Sequence, residues 1–377
     1  MKRNLFTDFF ESEKAGGLVL VFVTLLSLAL ANSVWQSGYI DFWETHLGRH
    51  SIAHWINDGL MTIFFLLIGL ELEREVYQGE LSNIKNAALP LFGALGGMVV
   101  PAGIFLLFNY GTSTQAGAGI PMATDIAFAI GILSLLGNRV PLSLKIFLTA
   151  LAVIDDLGAI IVIAVGYTNN LSLLNLSLAL GVWGVLFVLN RLKIHQLLPY
   201  LIGGFIMWYF MLQSGVHATI TGVILAFAIP FGDGSEHTVS YRLQHYLHKP
   251  VAFIILPLFA MANTGIALDS DWMQHFSTQN SMGIIAGLVL GKPLGILLFA
   301  ALGSLLGMCA LPTDLKWKHI FGAACLGGIG FTMSIFITLL AFDDVAVIVE
   351  SKVAILSASV LAGMIGLLAL RYSTRDS

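Results

Sequence analysis

At positions 142–165 the chain reads Leu-Ser-Leu-Lys-Ile-Phe-Leu-Thr-Ala-Leu-Ala-Val-Ile-Asp-Asp-Leu-Gly-Ala-Ile-Ile-Val-Ile-Ala-Val, with the adjacent carboxylates Asp155 and Asp156 near its middle. The stretch is long and apolar enough to cross a bilayer as a helix. An acidic side chain inside a membrane costs about 3 kcal/mol or more, and such residues usually mark ion or proton pathways. The pair therefore predicts a membrane protein that moves a small cation, a proton, or both.

The composition of the whole chain agrees with this prediction. Of its 377 residues, 57% are hydrophobic and only 11% are charged, and the mean hydropathy is +0.87. Soluble domains carry about 25% charged residues. A soluble chain of this length could not bury all of these hydrophobic residues in its core. Barrel strands would alternate apolar and polar side chains, whereas these segments are apolar on all sides, which indicates an all-α polytopic protein. The net charge of −4 and the lack of a basic stretch argue against nucleic acid as a partner.

Apolar windows of about 20 residues, the length that crosses a hydrocarbon core of about 30 Å, predict about twelve spans within a single integral membrane domain, residues 1–377. They cover residues 15–34, 57–78, 87–109, 121–137, 142–167, 172–190, 196–213, 216–231, 250–268, 282–307, 319–341 and 350–371. We interpret the first as an uncleaved span rather than a signal peptide, because Asp8, Glu11 and Glu13 precede it.

The basic residues predict the orientation of these spans. With twelve spans, every Lys and Arg except Arg49, Lys352 and the deep Lys292 falls on one side. Positive residues accumulate on the cytoplasmic side of a membrane, so both termini are predicted to be cytoplasmic. The longest predicted loops are then residues 35–56 outside and 232–249 inside.

Three acids and one base lie deep within predicted spans: Asp125, Asp155, Asp156 and Lys292. Asp156 follows Lys145, at the cytoplasmic edge, by a helical rise of about 16 Å, which reaches the midplane, and the two neighbouring acids point to different faces. Carboxylates are hard ligands suited to Na⁺ or Li⁺, and burial favours their protonated form, so they can exchange H⁺ for Na⁺ by competition. For Lys292 the alternative is an Asp–Lys pair that only ties two helices together.

Two predicted spans are interrupted by proline or glycine. One carries Pro121, Thr124 and Asp125, and the other carries the glycines Gly327, Gly328 and Gly330. Interrupted segments in the two halves of a transporter point to inverted repeats whose half-helix ends form an ion site at the midplane. Freed carbonyls and the Thr124 hydroxyl can coordinate a cation there, and Asp125 can offset the facing helix N-termini. A helix kink with packed glycines is the alternative.

Several long motifs, in one order along nearly the whole chain, resemble those of the bacterial NhaA-type sodium/proton antiporters. They are Ala123-Thr-Asp-Ile-Ala-Phe-Ala, Val140-Pro-Leu-Ser-Leu-Lys-Ile-Phe-Leu, Ile154-Asp-Asp-Leu-Gly-Ala-Ile, Ser214-Gly-Val-His-Ala-Thr, Gly291-Lys-Pro-Leu-Gly-Ile and Gly328-Ile-Gly-Phe-Thr-Met-Ser-Ile-Phe. Broken helices are a known feature of that family, so the interruptions do not support the resemblance independently.

The resemblance implies a fold and a set of roles. It implies twelve transmembrane helices with two inverted three-helix repeats, which place spans 3–5 and 10–12 in a core bundle, let the interrupted spans 4 and 11 cross, and leave the other spans on an interface side. It implies that Asp155 and Asp156 bind the ion and the proton, that Thr124 and Asp125 lie at a broken helix, and that Lys292 pairs with Asp155. It also implies electrogenic exchange, with two protons entering for each Na⁺ that leaves.

A charged cluster is implied at the cytoplasmic end of span 2, where the family uses the positions of Glu71, Arg74 and Glu75 to respond to pH. His245 and His248, in the predicted loop 232–249, titrate in the physiological range and would share a face if that loop were helical. An ordinary hydrated helix end with surface charges is the alternative.

Two further positions bear on pH response. Gln244 stands where the family often carries Glu, which removes an acidic partner for His245 and changes the expected pH profile. His217 matches a family position tied to pH response, and a hydrogen-bonded packing role is the alternative. We expect Glu75→Ala or His245→Ala to move the pH of onset without abolishing transport.

The predicted external loop from Ser37 to His54 corresponds to a dimerising hairpin in the family, although its residues show no clear strand alternation. We therefore expect a homodimer from the resemblance alone. The sequence as a whole predicts a Na⁺(Li⁺)/H⁺ antiporter of the bacterial inner membrane, not an enzyme, with no cofactor besides the transported ions. The two rivals are a sodium-coupled symporter of an organic anion and a passive channel or scaffold.

Overall fold

The computed structural model describes residues 5–167, 171–267 and 272–374, and most of them are helical. The helices are α1 (Leu5–Ala31), α2 (Gln36–Glu44), α3 (Ile52–Tyr77), α4 (Ile84–Asn109), α5 (Ile126–Ser134), α6 (Leu142–Gly166), α7 (Leu173–Arg191), α8 (Leu197–Leu212), α9 (Ile220–Ala226), α10 (Val239–Thr264), α11 (Gln279–Leu305), α12 (Trp317–Gly327), α13 (Phe331–Ala341) and α14 (Val345–Ser373). A small antiparallel hairpin of β1 (His46–Leu47) and β2 (His50–Ser51) joins α2 to α3.

Within the described residues, eight helical segments are long and apolar enough to cross a membrane, and ten if each of two bent pairs is one span. The bent pairs are α1 with α2, at 113°, and α12 with α13, at 44°. Two predicted spans are shorter in the structure: α8 has 16 residues and α9 has seven. At a rise of about 1.5 Å per residue, α8 does not cover the hydrocarbon core by itself. The chain is a multi-pass membrane protein, and the count of twelve stays a prediction.

The structure corrects both long predicted loops. Residues 239–249 are not a loop, because α10 begins at Val239 and continues into the apolar span. Thr238 starts this helix by accepting a hydrogen bond from the Tyr241 amide at 3.4 Å, a normal N-cap. The prediction began the span at residue 250, where the apolar residues begin, although polar helix formers can extend a helix beyond the membrane. Residues 35–56 hold α2 and the hairpin, whose two-residue strands are too short to show alternation.

Helix α6 is enclosed by protein along the part that carries the two central acids. Every residue from Phe147 to Asp156 is buried, so the middle of the helix is surrounded by protein on all sides. Its later residues Ile161 and Val165 are exposed. This placement explains how the chain tolerates two adjacent carboxylates in an apolar helix, because neither of them faces lipid.

Two glycines bring α4 and α11 into backbone contact beside these acids. A Cβ built on Gly96 would lie 2.0 Å from the carbonyl oxygen of Gly295, and the reverse distance is also 2.0 Å. Small residues allow such close approach between helices in membranes. A Cβ on Gly97 would lie 3.6 Å from the Cε of Lys292. The close contact therefore fixes the position of Lys292 on α11.

Candidate ion site

The two interrupted segments meet each other inside the protein. After the 3₁₀ helix Gln115–Met122 the backbone is extended, and α5 starts only at Ile126. The second interruption separates α12 from α13. The Asp125 amide donates to the Ile329 carbonyl at 2.7 Å, and the Thr124 hydroxyl lies 2.8 Å from the Gly327 carbonyl oxygen. The side chains and freed backbone groups of both breaks therefore form one polar centre.

The glycines of the second break permit this close approach. A Cβ on Gly328 would lie 2.4 Å from the carbonyl oxygen of Leu288, and one on Gly330 would lie 2.0 Å from the Ser334 hydroxyl. Gly327 is less tightly constrained, since its nearest contact would be 3.2 Å away. At Gly328, where backbone faces backbone, a larger residue would push the two segments apart.

Asp125 binds the start of two helices at once. It is 2% exposed, and its Oδ1 accepts a hydrogen bond from the Phe128 amide at 2.9 Å, which caps α5. Its Oδ2 accepts from the Thr332 amide at 3.1 Å and from the Thr332 hydroxyl, in the first turn of α13. Each helix N-terminus carries about half a positive charge. The two helix ends therefore offset the negative charge of Asp125.

Asp155 and Lys292 form a buried ion pair. The Lys292 Nζ lies 2.7 Å from the Asp155 Oδ2, and both side chains are fully buried. Lys292 also donates to the Met122 carbonyl, which the 3₁₀ end leaves free. The Thr124 hydroxyl lies 2.8 Å from the same Asp155 Oδ2. The base on α11, the acid on α6 and the first broken segment are thus joined at one carboxylate oxygen.

Asp156 differs from the other two acids because neither of its carboxylate oxygens has a hydrogen-bond partner among the described residues. The side chain is 1% exposed. The Asp155 Oδ1 also lacks a hydrogen-bond partner in that part of the chain. Buried polar atoms are almost always hydrogen-bonded, and an unpaired buried carboxylate is costly. These three oxygens can therefore take a proton or coordinate a cation.

The charged cluster at the end of α3 contacts α10 through specific pairs. Glu71 is 7% exposed, and its Oε1 lies 3.5 Å from the Nδ1 of His248. Arg74 interacts electrostatically with Glu71, Glu73 and Glu75, and its Nε donates a hydrogen bond to the Gln244 Oε1 at 2.7 Å. The Arg74 guanidinium also lies 4.6 Å from the centroid of the Tyr241 ring. The cluster is therefore an interface between two helices rather than a freely hydrated helix end.

The segment with the two histidines is helical, so the three-residue spacing puts them on neighbouring positions of α10, but they differ in burial. His248 is buried, whereas His245 is exposed and its ring contacts Tyr246. Gln244 is buried, and adjacent helix positions point about 100° apart, so Gln244 and His245 are not side-chain partners. The expectation that Gln244 stands at the position of a partner for His245 was wrong, because the Gln244 side chain accepts a hydrogen bond from Arg74 instead. The remaining acid, Glu75, folds over Gly79 at the end of α3.

His217 lies outside both groups. Its Nε2 is 3.0 Å from the carbonyl oxygen of Tyr167, the residue that follows α6. The histidine therefore connects the end of the helix that carries Asp155 and Asp156 to the segment that precedes α9. The structure does not bring His217 to the buried acids.

Two residues with evident roles escaped the sequence reasoning. Thr332, which binds Asp125, follows the second break directly, and its position after the glycines was an available signal. Glu73 is 5% exposed and one of its carboxylate oxygens has no hydrogen-bond partner in the described chain. It lines a polar cavity of about 550 Å³ with Gln78, Arg191 and Asp233. Its charged sequence neighbours suggested surface, and only the packing of the helices reveals its burial.

The chain is similar to a well-defined set of known proteins. A family model described as Na⁺/H⁺ antiporter 1 matches residues 7–370. The "Na(+)/H(+) antiporter NhaA 1" of Flavobacterium johnsoniae is 69% identical over 367 residues, which cover 97% of this chain and 96% of that protein. The "Na(+)/H(+) antiporter NhaA" of Cytophaga hutchinsonii is 64% identical over 372 residues, with 99% and 96% covered.

A solved structure supports the same fold at much lower sequence identity. The sodium proton antiporter MjNhaP1 from Methanocaldococcus jannaschii superposes with a TM-score of 0.53 at 15% identity, covering 97% of this chain and 98% of that one. The likeness at this identity concerns the fold alone. The family match and the identities of 64% and 69% decide the family. The chain belongs to the NhaA-type Na⁺/H⁺ antiporters.

Proposed function

We propose that the protein exchanges cytoplasmic Na⁺ or Li⁺ for external H⁺ across a bacterial inner membrane, electrogenically and under the control of pH. The observation that carries this proposal is the unpaired Asp156 carboxylate beside the Lys292–Asp155 pair. A buried carboxylate without partners exchanges one small cation for another at little structural cost. The names of the related proteins support the choice of Na⁺ and H⁺.

The charges around Asp156 support a competition between the two ions. Lys292 pairs with Asp155, and two helix N-termini offset Asp125, whereas the Asp156 carboxylate has no hydrogen-bond partner of its own among the described residues. The described residues contain no cluster of three or more His, Cys, Asp or Glu side chains placed to hold a metal ion. We therefore assign Na⁺ to Asp155 and Asp156 together with neutral oxygens such as that of Thr124.

The expected exchange ratio follows from the two acids. In one orientation Asp155 and Asp156 each hold a proton, and in the other they jointly neutralise one Na⁺. The unpaired Oδ1 of Asp155 is the position for the second proton. Two protons moving inward for one Na⁺ moving outward transfer one net positive charge, so the exchange is electrogenic. The pH gradient and the membrane potential then drive Na⁺ export together.

The architecture belongs to the same proposal. We propose twelve spans: the eight candidate segments, the two bent pairs, α8 and α9. We also propose inverted repeats, in which the broken spans are Gln115–Ser134 and the pair of α12 with α13. Residues 1–377 form one domain, with a core bundle and an interface side. Both termini are placed in the cytoplasm because Lys and Arg concentrate on that side. The β1–β2 hairpin supports a homodimer formed through that region.

Everted membrane vesicles that contain the protein test the exchange reaction. After an acid-inside pH gradient is set, added Na⁺ or Li⁺ is expected to collapse it, because each ion that enters releases protons. An organic anion alone is expected to leave the gradient unchanged. In control vesicles that lack the protein, Na⁺ and Li⁺ are also expected to leave it unchanged. A gradient that resists both cations contradicts antiport, and one that responds only to an anion with Na⁺ supports the symporter instead.

The same vesicles test electrogenicity. Exchange by the proposed ratio makes the vesicle interior negative, which opposes further exchange. Clamping the potential with K⁺ and the ionophore valinomycin is therefore expected to raise the rate of Na⁺-driven proton release. An unchanged rate indicates one proton for each Na⁺ and removes the two-acid ratio while leaving antiport intact.

We propose that the Glu71–His248 pair controls the onset of activity with pH, together with Arg74 and Glu75 in the same cluster. His217, which lies apart from this cluster, is a separate proposed pH-response residue. His248→Ala is expected to move the pH of onset without abolishing transport, since the pair joins α3 to α10 and changes charge when His248 titrates. The sequence alone predicted a shift for His245→Ala as well. Because His245 is exposed and lies outside the Glu71–His248 pair, His245→Ala serves here as the matched control. Rates in everted vesicles across a pH series measure the onset. Equal profiles for both variants and the unaltered protein would remove this pair as the sensor.

A further inference from the structure

A large apolar cavity lies between α3, α8 and α9, away from the buried acids. It has a volume of about 580 Å³, within the range of roughly 300–1,000 Å³ that is typical of small-molecule sites. Its walls include Ile63, Leu66, Gly204 and Leu225. Phe205, at its mouth, is 68% exposed, so the cavity opens to the outer surface of the helices, where lipid surrounds the protein.

The depth of the cavity matches one leaflet of a bilayer. Along α3 its lining residues run from Ile52, next to the β1–β2 hairpin, to Leu66. Fourteen helical residues rise roughly 21 Å. Half of a bilayer that is about 40–45 Å thick with its headgroup regions is also about 21 Å. An occupant that begins at the hairpin end and reaches Leu66 therefore extends from one membrane surface to the midplane.

Two tryptophans mark the membrane-surface end of the cavity. The rings of Trp55 and Trp208 lie 6.3 Å apart, and tryptophan collects at the level of lipid headgroups. The Trp55 indole is satisfied, because its Nε1 donates to the Leu47 carbonyl at 2.9 Å. The Trp208 Nε1 is buried and has no hydrogen-bond acceptor among the described residues. Indole nitrogens usually find a partner when buried, so the occupant is expected to supply one acceptor at this end.

We propose that this cavity binds one acyl chain of a phospholipid, whose ester carbonyl accepts the hydrogen bond of Trp208. An acyl chain combines an apolar tail of one-leaflet length with an acceptor at the membrane surface, and both features fit the cavity. A water-filled cavity would need more polar wall atoms. The bound chain fills the space between α3, α8 and α9, so it holds the short helices α8 and α9 against the long helix α3.

Native mass spectrometry of the full-length protein tests this site, with 1-palmitoyl-2-oleoyl-phosphatidylglycerol added to detergent-washed protein. One lipid is expected to stay bound at concentrations that no longer label the rest of the surface. Ile63→Trp fills the cavity and is expected to abolish this binding. Trp208→Phe keeps the ring but removes the donor, and is expected to weaken binding on the order of fivefold. Leu198→Trp, at a 66% exposed position of the same helix α8, is the control and is expected to bind normally.

Other outcomes would overturn the proposal. Equal lipid retention by the unaltered protein, Ile63→Trp and Trp208→Phe would show that the cavity is not the site. Loss of dimer in Ile63→Trp, with lipid binding unchanged, would show that a second copy covers the cavity. Thr221→Val removes a buried hydroxyl group from the wall of the same cavity. If that variant weakens binding as much as Trp208→Phe, the occupant carries a polar group at depth and is not an acyl chain.

Discussion

Replacing Asp156 by Asn is expected to abolish Na⁺-driven proton release while the protein still folds. Asn keeps the size of the side chain but can neither carry the exchanged proton nor neutralise a bound Na⁺. The loss is specific to function because the Asp156 carboxylate makes no hydrogen bond to the described residues that Asn would break. Removing a buried charge that has no partner also relieves a desolvation cost. Thermal stability in detergent is therefore expected to stay equal or to rise.

The measurement is the collapse of a preset pH gradient in everted vesicles, with the amount of protein checked by immunoblot. Asp343→Asn is the matched control, since Asp343 is an exposed acid in the turn between α13 and α14. It is expected to retain full exchange. Continued Na⁺-driven proton release by Asp156→Asn would place the ion site elsewhere. A fall in both activity and stability would instead indicate a structural role for Asp156.

The sequence was sufficient to find the central acids for a simple physical reason. A charged side chain is so costly in a membrane that Asp125, Asp155, Asp156 and Lys292 stood out against an apolar background without any knowledge of packing. Helix rise then predicted a similar depth for Asp156 and Lys292. The breaks were also visible, because proline and glycine in an apolar span seldom serve a straight helix.

The parts that escaped the sequence depend on contacts between distant segments. The Thr332 hydroxyl donates a hydrogen bond to Asp125 across two broken helices. Arg74 donates a hydrogen bond to Gln244, which is far from it in the sequence. No local pattern predicts such pairs. Helix lengths failed for a different reason. Hydropathy identifies the residues that can lie in the hydrocarbon core. A helix such as α10 extends beyond the membrane into water where its end is capped and its polar side chains favour the helical conformation.

The second large effect is expected from Lys292→Met, which leaves Asp155 buried without its ion pair. Removing one partner of a buried salt bridge costs about 3–5 kcal/mol, so a large fall in the unfolding temperature is expected. Met preserves most of the length of the side chain and packs well in a core, which limits the effect to the lost charge. Lys318→Met, at an exposed position of α12, is the control and is expected to leave stability nearly unchanged.

The double variant Lys292→Met with Asp155→Asn separates a structural from a functional pair. Once both charges are gone, no uncompensated charge remains, and most of the lost stability is expected to return. Exchange is expected to stay low in the double variant, because one of the two proton-binding acids is missing. The unfolding temperature in detergent and the vesicle assay measure the two effects on the same preparations. Full recovery of both stability and exchange would mean that the pair only ties α6 to α11, as the structural alternative holds, and that Asp156 binds the exchanged ions without Asp155.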